Sequence, residues 1–232
     1  MSGSAVLLVT GASHGIGQAV ARQALGRGYR LALGARDAEA LERTAAGFGS
    51  DAVLTAPCDV TRWDDVEALA SATRRHFGRI DGVFANAGVG APRGLLNGDP
   101  RSWEALVATN VLGVAYTLRA ALPHVRERPN GHAVLMGSVA GRWITPGSLY
   151  AATKAAVAAL ADAVRQELRD LGDTSTRVTL IEAGWVGTRL LTGERPGAMD
   201  PGVIADAVLY ALGRPPGVDV NQITVRPTTQ RE

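Results

Sequence analysis

The chain has 232 residues, 46% of them hydrophobic and 20% charged, with a formal net charge of +2. That suffices for one large core or two small ones, and its scattered arginines, densest at Arg74-Arg75, form no basic stripe for nucleic acid. The lone Cys58 excludes an internal disulfide, the histidines lack metal-ligand spacing, and neither a cleavable leader nor a bilayer-spanning apolar run stands out, so a cytoplasmic protein without membrane or nucleic-acid partners is expected.

Ala5–Val9 is a short apolar run, too brief for a helix, and predicts a buried parallel strand. It leads into Thr10-Gly11-Ala12-Ser13-His14-Gly15-Ile16-Gly17 and then a helical pattern over Gln18–Leu25. A glycine-rich turn from strand to helix lets the backbone approach a pyrophosphate, and the helix N-terminus offers unpaired N–H groups. Gly11, Ser13, His14, Gly15, Ile16 and Gly17 are therefore candidate dinucleotide contacts.

Arg30–Ala35 predicts the second strand, followed by Arg36 and Asp37. In dinucleotide folds this strand end meets the adenosine ribose, where an acid bonds a 2′-hydroxyl and an arginine accommodates a 2′-phosphate. Arg36, with His14 as a second polar group, favours NADP(H), with NAD(H) possible. Asp37 equally suits the N-cap of a helix over Ala38–Phe48. Ala52–Cys58 predicts the third strand, ending at Asp59-Val60. The Asp59 carboxylate could bond an adenine amino group or cap the turn before a helix over Trp63–Phe77. Ile80–Ala85 predicts the fourth strand, ending in Asn86-Ala87-Gly88. Small residues there let a cofactor lie against the backbone, and Asn86 can pin adjacent strand ends.

Ser102–Val125 predicts a long helix with Asn110 inside it. Asparagine competes for backbone bonds, so Asn110 is either a distorted-turn residue holding a water or a mild defect. Gly131–Ser138 predicts the fifth strand, with Ser138 at its C-terminal end, where ligands of open parallel sheets bind. Tyr150 and Lys154 lie four residues apart in an alanine-rich run, on one face of a helix. A phenol has a pKa of about 10, and a nearby ammonium favours its phenolate, so the pair is a candidate proton donor and acceptor. Lys154 is the only lysine among 24 basic residues. A compact point charge fits among ribose hydroxyls and a phenol, unlike a planar arginine fork.

Thr179–Gly184 reads as the end of the sixth strand, Val203–Leu212 as a helix, and Val218–Val225 as the seventh strand, with a Gly- and Pro-containing segment over Gly187–Gly202. This alternation without a linker predicts one α/β domain over residues 1–232. It would be a doubly wound, mostly parallel seven-stranded sheet with helices on both faces.

In order along the chain, these motifs resemble those of the short-chain dehydrogenase/reductase family, over essentially the whole length, and imply its single-domain Rossmann fold. Thr10-Gly11-x-x-x-Gly15-x-Gly17 resembles the family's cofactor turn, Asn86-Ala87-Gly88 its fourth-strand motif, and Asn110, Ser138, Tyr150 and Lys154 its catalytic tetrad. Asp59 and Val60 occupy adenine-contacting positions. Val186 and Thr188 fall among its cofactor contacts, after Ala183-Gly184 where Pro-Gly is common. The resemblance implies hydride exchange between a nicotinamide and a small carbonyl or secondary alcohol. Tyr150 would then be the acid and base, Ser138 would orient the oxygen, Lys154 would bond the ribose and lower the phenol pKa, and Asn110 would position a water. It also implies a homodimer or homotetramer packed through the Ser102–Val125 and Tyr150–Leu171 helices.

The substrate pocket is expected at Val89, Gly90, Arg142, Trp143, Trp185 and a lid over Leu190–Met199. The tryptophans favour an apolar or flat substrate, whereas Arg142 or Arg189 could hold a carboxylate. Two other readings are a 3-oxoacyl-carrier-protein reductase, with a protein partner, and a dinucleotide-binding protein that has lost catalysis.

Overall fold

A computed structural model describes residues 4–46, 48, 49, 51–191, 193 and 195–231. The strands are β1 (Val6–Thr10), β2 (Arg30–Ala35), β3 (Val53–Pro57), β4 (Gly82–Ala85), β5 (His132–Met136), β6 (Arg177–Ala183) and β7 (Gln222–Val225). They form one sheet in the order β3-β2-β1-β4-β5-β6-β7, and every neighbouring pair is parallel. The chain winds outward from β1 to β3, then returns to β4 and winds the other way. The crevice above β1 and β4 is therefore the topological switch point, where ligands of such sheets bind.

Helices α1 (Gly15–Gly26), α2 (Ala38–Ala45), α3 (Trp63–Phe77), α4 (Pro100–Val107), α5 (Gly113–Val125), α6 (Leu149–Asp170) and α7 (Pro201–Leu212) cover the sheet. Alternation along β1 explains the two layers. Val6 and Leu8 join Leu69 of α3, Leu118 of α5 and Val157 of α6, while Leu7 and Val9 join Val20 of α1 and Val208 of α7. Each such fully buried side chain contributes about 1.5–3 kcal/mol. The doubly wound parallel Rossmann architecture is the one the sequence pattern implies.

Several bounds differ from the pattern for physical reasons. The long helical stretch starts at Pro100, because the Asp99 carboxylate caps it by accepting from the Arg101 and Ser102 amides at 3.1 and 3.3 Å. A π turn over Ala108–Leu112 interrupts it. By length and composition Pro100–Val125 would also be apolar enough to cross a membrane, an 18-residue window within it having a mean hydropathy of 1.4, which corrects the expectation that no such run exists. Its apolar face is spent on the sheet, where Val114, Leu118, Ala121 and Val125 are buried. β6 runs from Arg177 to Ala183. Arg177 is buried because its guanidinium donates to the carbonyls of Ala211, Leu212 and Arg214, at 3.1–3.3 Å, at the end of α7. Residues 218–221 lie outside β7 because side chains hold them to β6. Asp219 accepts from the Val178 amide at 3.1 Å, and Thr179 Oγ1 donates to the Val220 carbonyl at 2.6 Å. α2 ends at Ala45, and of the expected extension Gly47 lies outside the described residues. Other bounds shift by a few residues.

Candidate active site

The loop from β1 to α1 is held by glycines whose hydrogens face other backbone. Gly11 has φ +65°, and a Cβ there would stand 2.8 Å from Ala87 Cα. A Cβ on Gly17 would collide with the Gly11 carbonyl oxygen and come within 2.7 Å of Asn86 Nδ2. Asn86 does pin the strand ends: Nδ2 donates to the carbonyls of Thr10 and Gly11 at 3.0 and 3.1 Å. Its backbone amide also donates to Thr10 Oγ1 at 3.2 Å. Ala87 and Gly88 continue this wall beside the turn. His14 occupies the N-cap of α1, yet its side chain makes no capping bond, being paired with Ser13 Oγ at 2.9 Å. The first turn of α1 thus keeps its N–H groups for an anion. Ile16 packs against the α1–α7 core layer.

Arg36 is exposed at the end of β2. Asp37 accepts from the Ala40 amide at 2.9 Å as the N-cap of α2. Burial raises the Asp59 pKa, but hydrogen bonds from Thr61 and the charges of Arg36 and Arg62 outweigh it, leaving the carboxyl below its usual range. Asp59 Oδ1 accepts both Thr61 bonds, at 3.0 and 2.8 Å, so it serves at least as the turn cap. Val60 is buried against Gly113. Opposite the glycine turn, Thr188 Cγ2 stands 2.9 Å from where a Gly15 Cβ would be, and Val186 forms a bridge with Met199. Burial, with Arg189 the largest nearby charge, lowers the His14 pKa. Within the expected lid, Thr192 and Glu194 lie outside the described residues.

Ser138, Tyr150, Lys154 and Asn110 come together beyond the C-terminal ends of β4 and β5. Ser138 Oγ donates to the Ala183 carbonyl at 3.3 Å and accepts from the Ala140 amide at 3.1 Å, capping a 3-10 turn over Val139–Gly141. That turn presses on α6: a Cβ on Gly141 would stand 2.7 Å from the Lys154 carbonyl carbon. Ser148 caps α6 through the Ala151 amide at 3.1 Å, which presents Tyr150 in the first turn. Lys154 is buried, and Nζ donates to the Met136 carbonyl at 2.8 Å while lying 5.8 Å from the Tyr150 ring centroid.

This arrangement corrects one expectation. The Tyr150 pKa is raised, not lowered: burial disfavours the phenolate, and a hydrogen bond with Ser138 only partly offsets it. Burial also lowers the Lys154 pKa from 10.5 to about 8. Four-residue spacing placed the two groups on one face, but the ammonium turns to the Met136 carbonyl.

Asn110 sits in the π turn, fully buried, which selects the distorted-turn alternative. Its Oδ1 accepts from the Val89 amide at 2.9 Å, while Nδ2 donates to the Val89 carbonyl at 3.0 Å and to Thr153 Oγ1 at 3.1 Å. Thr153, which sequence reasoning missed, in turn donates to the Tyr150 carbonyl at 2.8 Å. A threonine within an otherwise alanine-rich turn was the available signal. Glu182 was also missed. It is 3% exposed and accepts from Thr224 Oγ1 at 2.8 Å and from Gln222, with Arg142 at 3.4 Å. Of the expected pocket, Gly90 meets Leu190, and Trp143 lies under the guanidinium of Arg226 at 4.5 Å. Trp185 lies under Arg195 at 5.5 Å. Among the described residues no cluster of histidine, cysteine and acidic side chains could hold a metal.

The family model described as short chain dehydrogenase matches residues 5–198. An uncharacterized oxidoreductase of Staphylococcus aureus is 36% identical over 226 residues, which span 96% of each chain. The alcohol dehydrogenase of the archaeon Thermococcus sibiricus, solved with 5-hydroxy-NADP, has a TM-score of 0.89 at 32% identity and covers 99% of each chain. A 3-ketoacyl-(acyl-carrier-protein) reductase from Brucella melitensis, solved with NADH, has a TM-score of 0.88 at 25% identity over 96% of each chain.

Proposed function

The chain belongs to the short-chain dehydrogenase family, an oxidoreductase of alcohol and ketone groups with a nicotinamide cofactor, and from that premise we propose that it prefers NADP(H) and interconverts a small carbonyl and its secondary alcohol. The observation that carries this reading is the meeting of Ser138 and Tyr150 hydroxyls beside the buried Lys154, above the switch point. The glycine cradle and the uncapped first turn of α1 fit a pyrophosphate. Arg36 and His14 are the residues that would meet a 2′-phosphate. Asp59, Val60, Asn86, Ala87, Gly88, Val186 and Thr188 would complete the cofactor wall.

The nicotinamide supplies or accepts the hydride. Ser138 donates a hydrogen bond to the substrate oxygen, and Tyr150 gives that oxygen a proton in reduction or takes it in oxidation. Lys154 would hold the nicotinamide ribose. Asn110 and the π turn supply the water through which Lys154 regains a proton. The whole chain acts as one domain with residues 187–202 as the lid, in the cytoplasm. It works as a homodimer or homotetramer packed through the 102–125 and 150–171 helices.

The test is Tyr150→Phe, assayed on a panel of ketones and alcohols with NADPH and NADH. Turnover should fall at least about 10²-fold, the usual scale for losing a general acid, while NADPH still binds. Unchanged turnover would refute the assignment.

A further inference from the structure

We propose that the substrate carries an uncharged apolar tail beyond its carbonyl, seated on an aliphatic rim of Leu95, Ile144 and Leu190; this deepens, and rests on, the oxidoreductase reading above. These side chains are 57%, 62% and 42% exposed, on three separate loops. Exposed aliphatics grouped at the mouth of a cleft mark a ligand surface more often than scattered ones do.

Two of these loops are tied together just ahead of Tyr150 in the chain. The Gly94 amide donates to the Gly147 carbonyl at 2.9 Å, which joins the Leu95 loop to the segment between Ile144 and Tyr150. A Cβ on Gly147 would stand 3.7 Å from the Leu95 amide. Across the cleft, Leu190 Cδ1 lies 3.3 Å from where a Gly90 Cβ would be. Two residues earlier, a Cβ on Gly88 would stand 3.4 Å from Asn110 Oδ1 and 3.7 Å from Lys154 Nζ. The rim is therefore continuous with the proposed active site.

The charges nearby argue against an anionic substrate. Arg142 faces the Glu182 carboxylate at 3.4 Å, and Glu182 is 3% exposed. A second carboxylate would gain little from a guanidinium already paired and would be repelled by its partner. Arg189 stands near His14, on the cofactor side of the cleft.

The test is a series of methyl ketones of increasing chain length with NADPH, each matched by the 2-oxo acid of equal length. kcat/KM should rise about fourfold per methylene, the ratio that ~0.8 kcal/mol per buried CH₂ gives. The neutral ketones should exceed the oxo acids at least tenfold. Ile144→Ser and Leu95→Ser should flatten the rise, with the NADPH dissociation constant from fluorescence showing that the fold is kept. A flat series in a protein that turns ketones over well would overturn the rim alone. So would a preference for the oxo acids. A rise untouched in both variants, with light scattering showing a dissociated oligomer, would make these residues a subunit contact and overturn it too. No turnover of any carbonyl by a protein that binds NADPH would overturn the rim and the oxidoreductase reading together.

Discussion

Replacing Lys154 by methionine should stabilise the cofactor-free protein at neutral pH. Burial lowers the ammonium pKa from 10.5 to about 8. At about 1.4 kcal/mol per pH unit, keeping that proton inside the fold costs roughly 3 kcal/mol. Methionine recovers this but leaves the Met136 carbonyl without its 2.8 Å donor, a loss of about 1–2 kcal/mol. The net gain at pH 7 is therefore on the order of 1–2 kcal/mol. The sign has a pH signature. Below pH 8 both folded and unfolded wild-type chains hold the proton, and the penalty is complete. Between pH 8 and 10.5 the folded chain releases it while the unfolded chain keeps it, so wild-type stability rises with pH. The advantage of Lys154→Met should thus be greatest below pH 8 and shrink towards pH 10.5. Urea midpoints of both proteins at pH 7 and 9.5 measure it. A variant less stable than wild type at pH 7, or a gap that ignores pH, would refute the reasoning.

His132 should make the fold acid-sensitive. It is 1% exposed, and burial followed by the Arg177 charge lowers its pKa from 6.5 to about 3. Its contribution is complete above pH 6.5 and is lost as pH falls towards 3, at up to ~1.4 kcal/mol per pH unit. Thermal melts between pH 4 and 7 should show a shallower slope in His132→Gln, and parallel slopes would exclude the mechanism. Arg36→Ala should weaken NADPH about 10–100-fold, the ~1.5–3 kcal/mol of a charged hydrogen bond, while NADH stays within twofold. Equal weakening of both cofactors would remove Arg36 from the 2′-phosphate. Gly17→Ala forces a Cβ into the Gly11 carbonyl and the Asn86 amide. It should cost ~1–3 kcal/mol and abolish cofactor binding; a wild-type Tm with normal NADPH affinity would show that the turn yields.

What the sequence made legible is local chemistry. The glycine turn could be read because strand, glycines and helix adjoin in the chain, and Tyr150 with Lys154 because helical spacing is fixed. Groups whose partners are distant in sequence stayed hidden. The Arg177 guanidinium finds carbonyls on α7, 34 to 37 residues away. Glu182 is satisfied from β7, 40 and 42 residues on. A charged residue at a strand start looks solvated until those partners are known. The phenol pKa was misjudged for a related reason. Spacing fixes where a side chain begins, but a flexible lysine goes to the best acceptor in reach, here a carbonyl of β5.

Asn110 shows why a locally unfavourable residue is kept. A helix interior offers asparagine little, yet here the π turn swings its amide out of the helix to take both backbone groups of Val89. Its remaining hydrogen goes to Thr153, whose own hydroxyl proton is given to the Tyr150 carbonyl. One buried amide therefore fixes the β4 loop, α6 and the turn carrying the phenol relative to each other. Each bond is worth only ~1 kcal/mol in stability, but together they remove the sliding freedom of the loop that forms one wall of the cleft. The local cost of the residue is set against precision where Ser138, Tyr150 and Lys154 must meet, and that positioning role holds whether or not a water is also bound there.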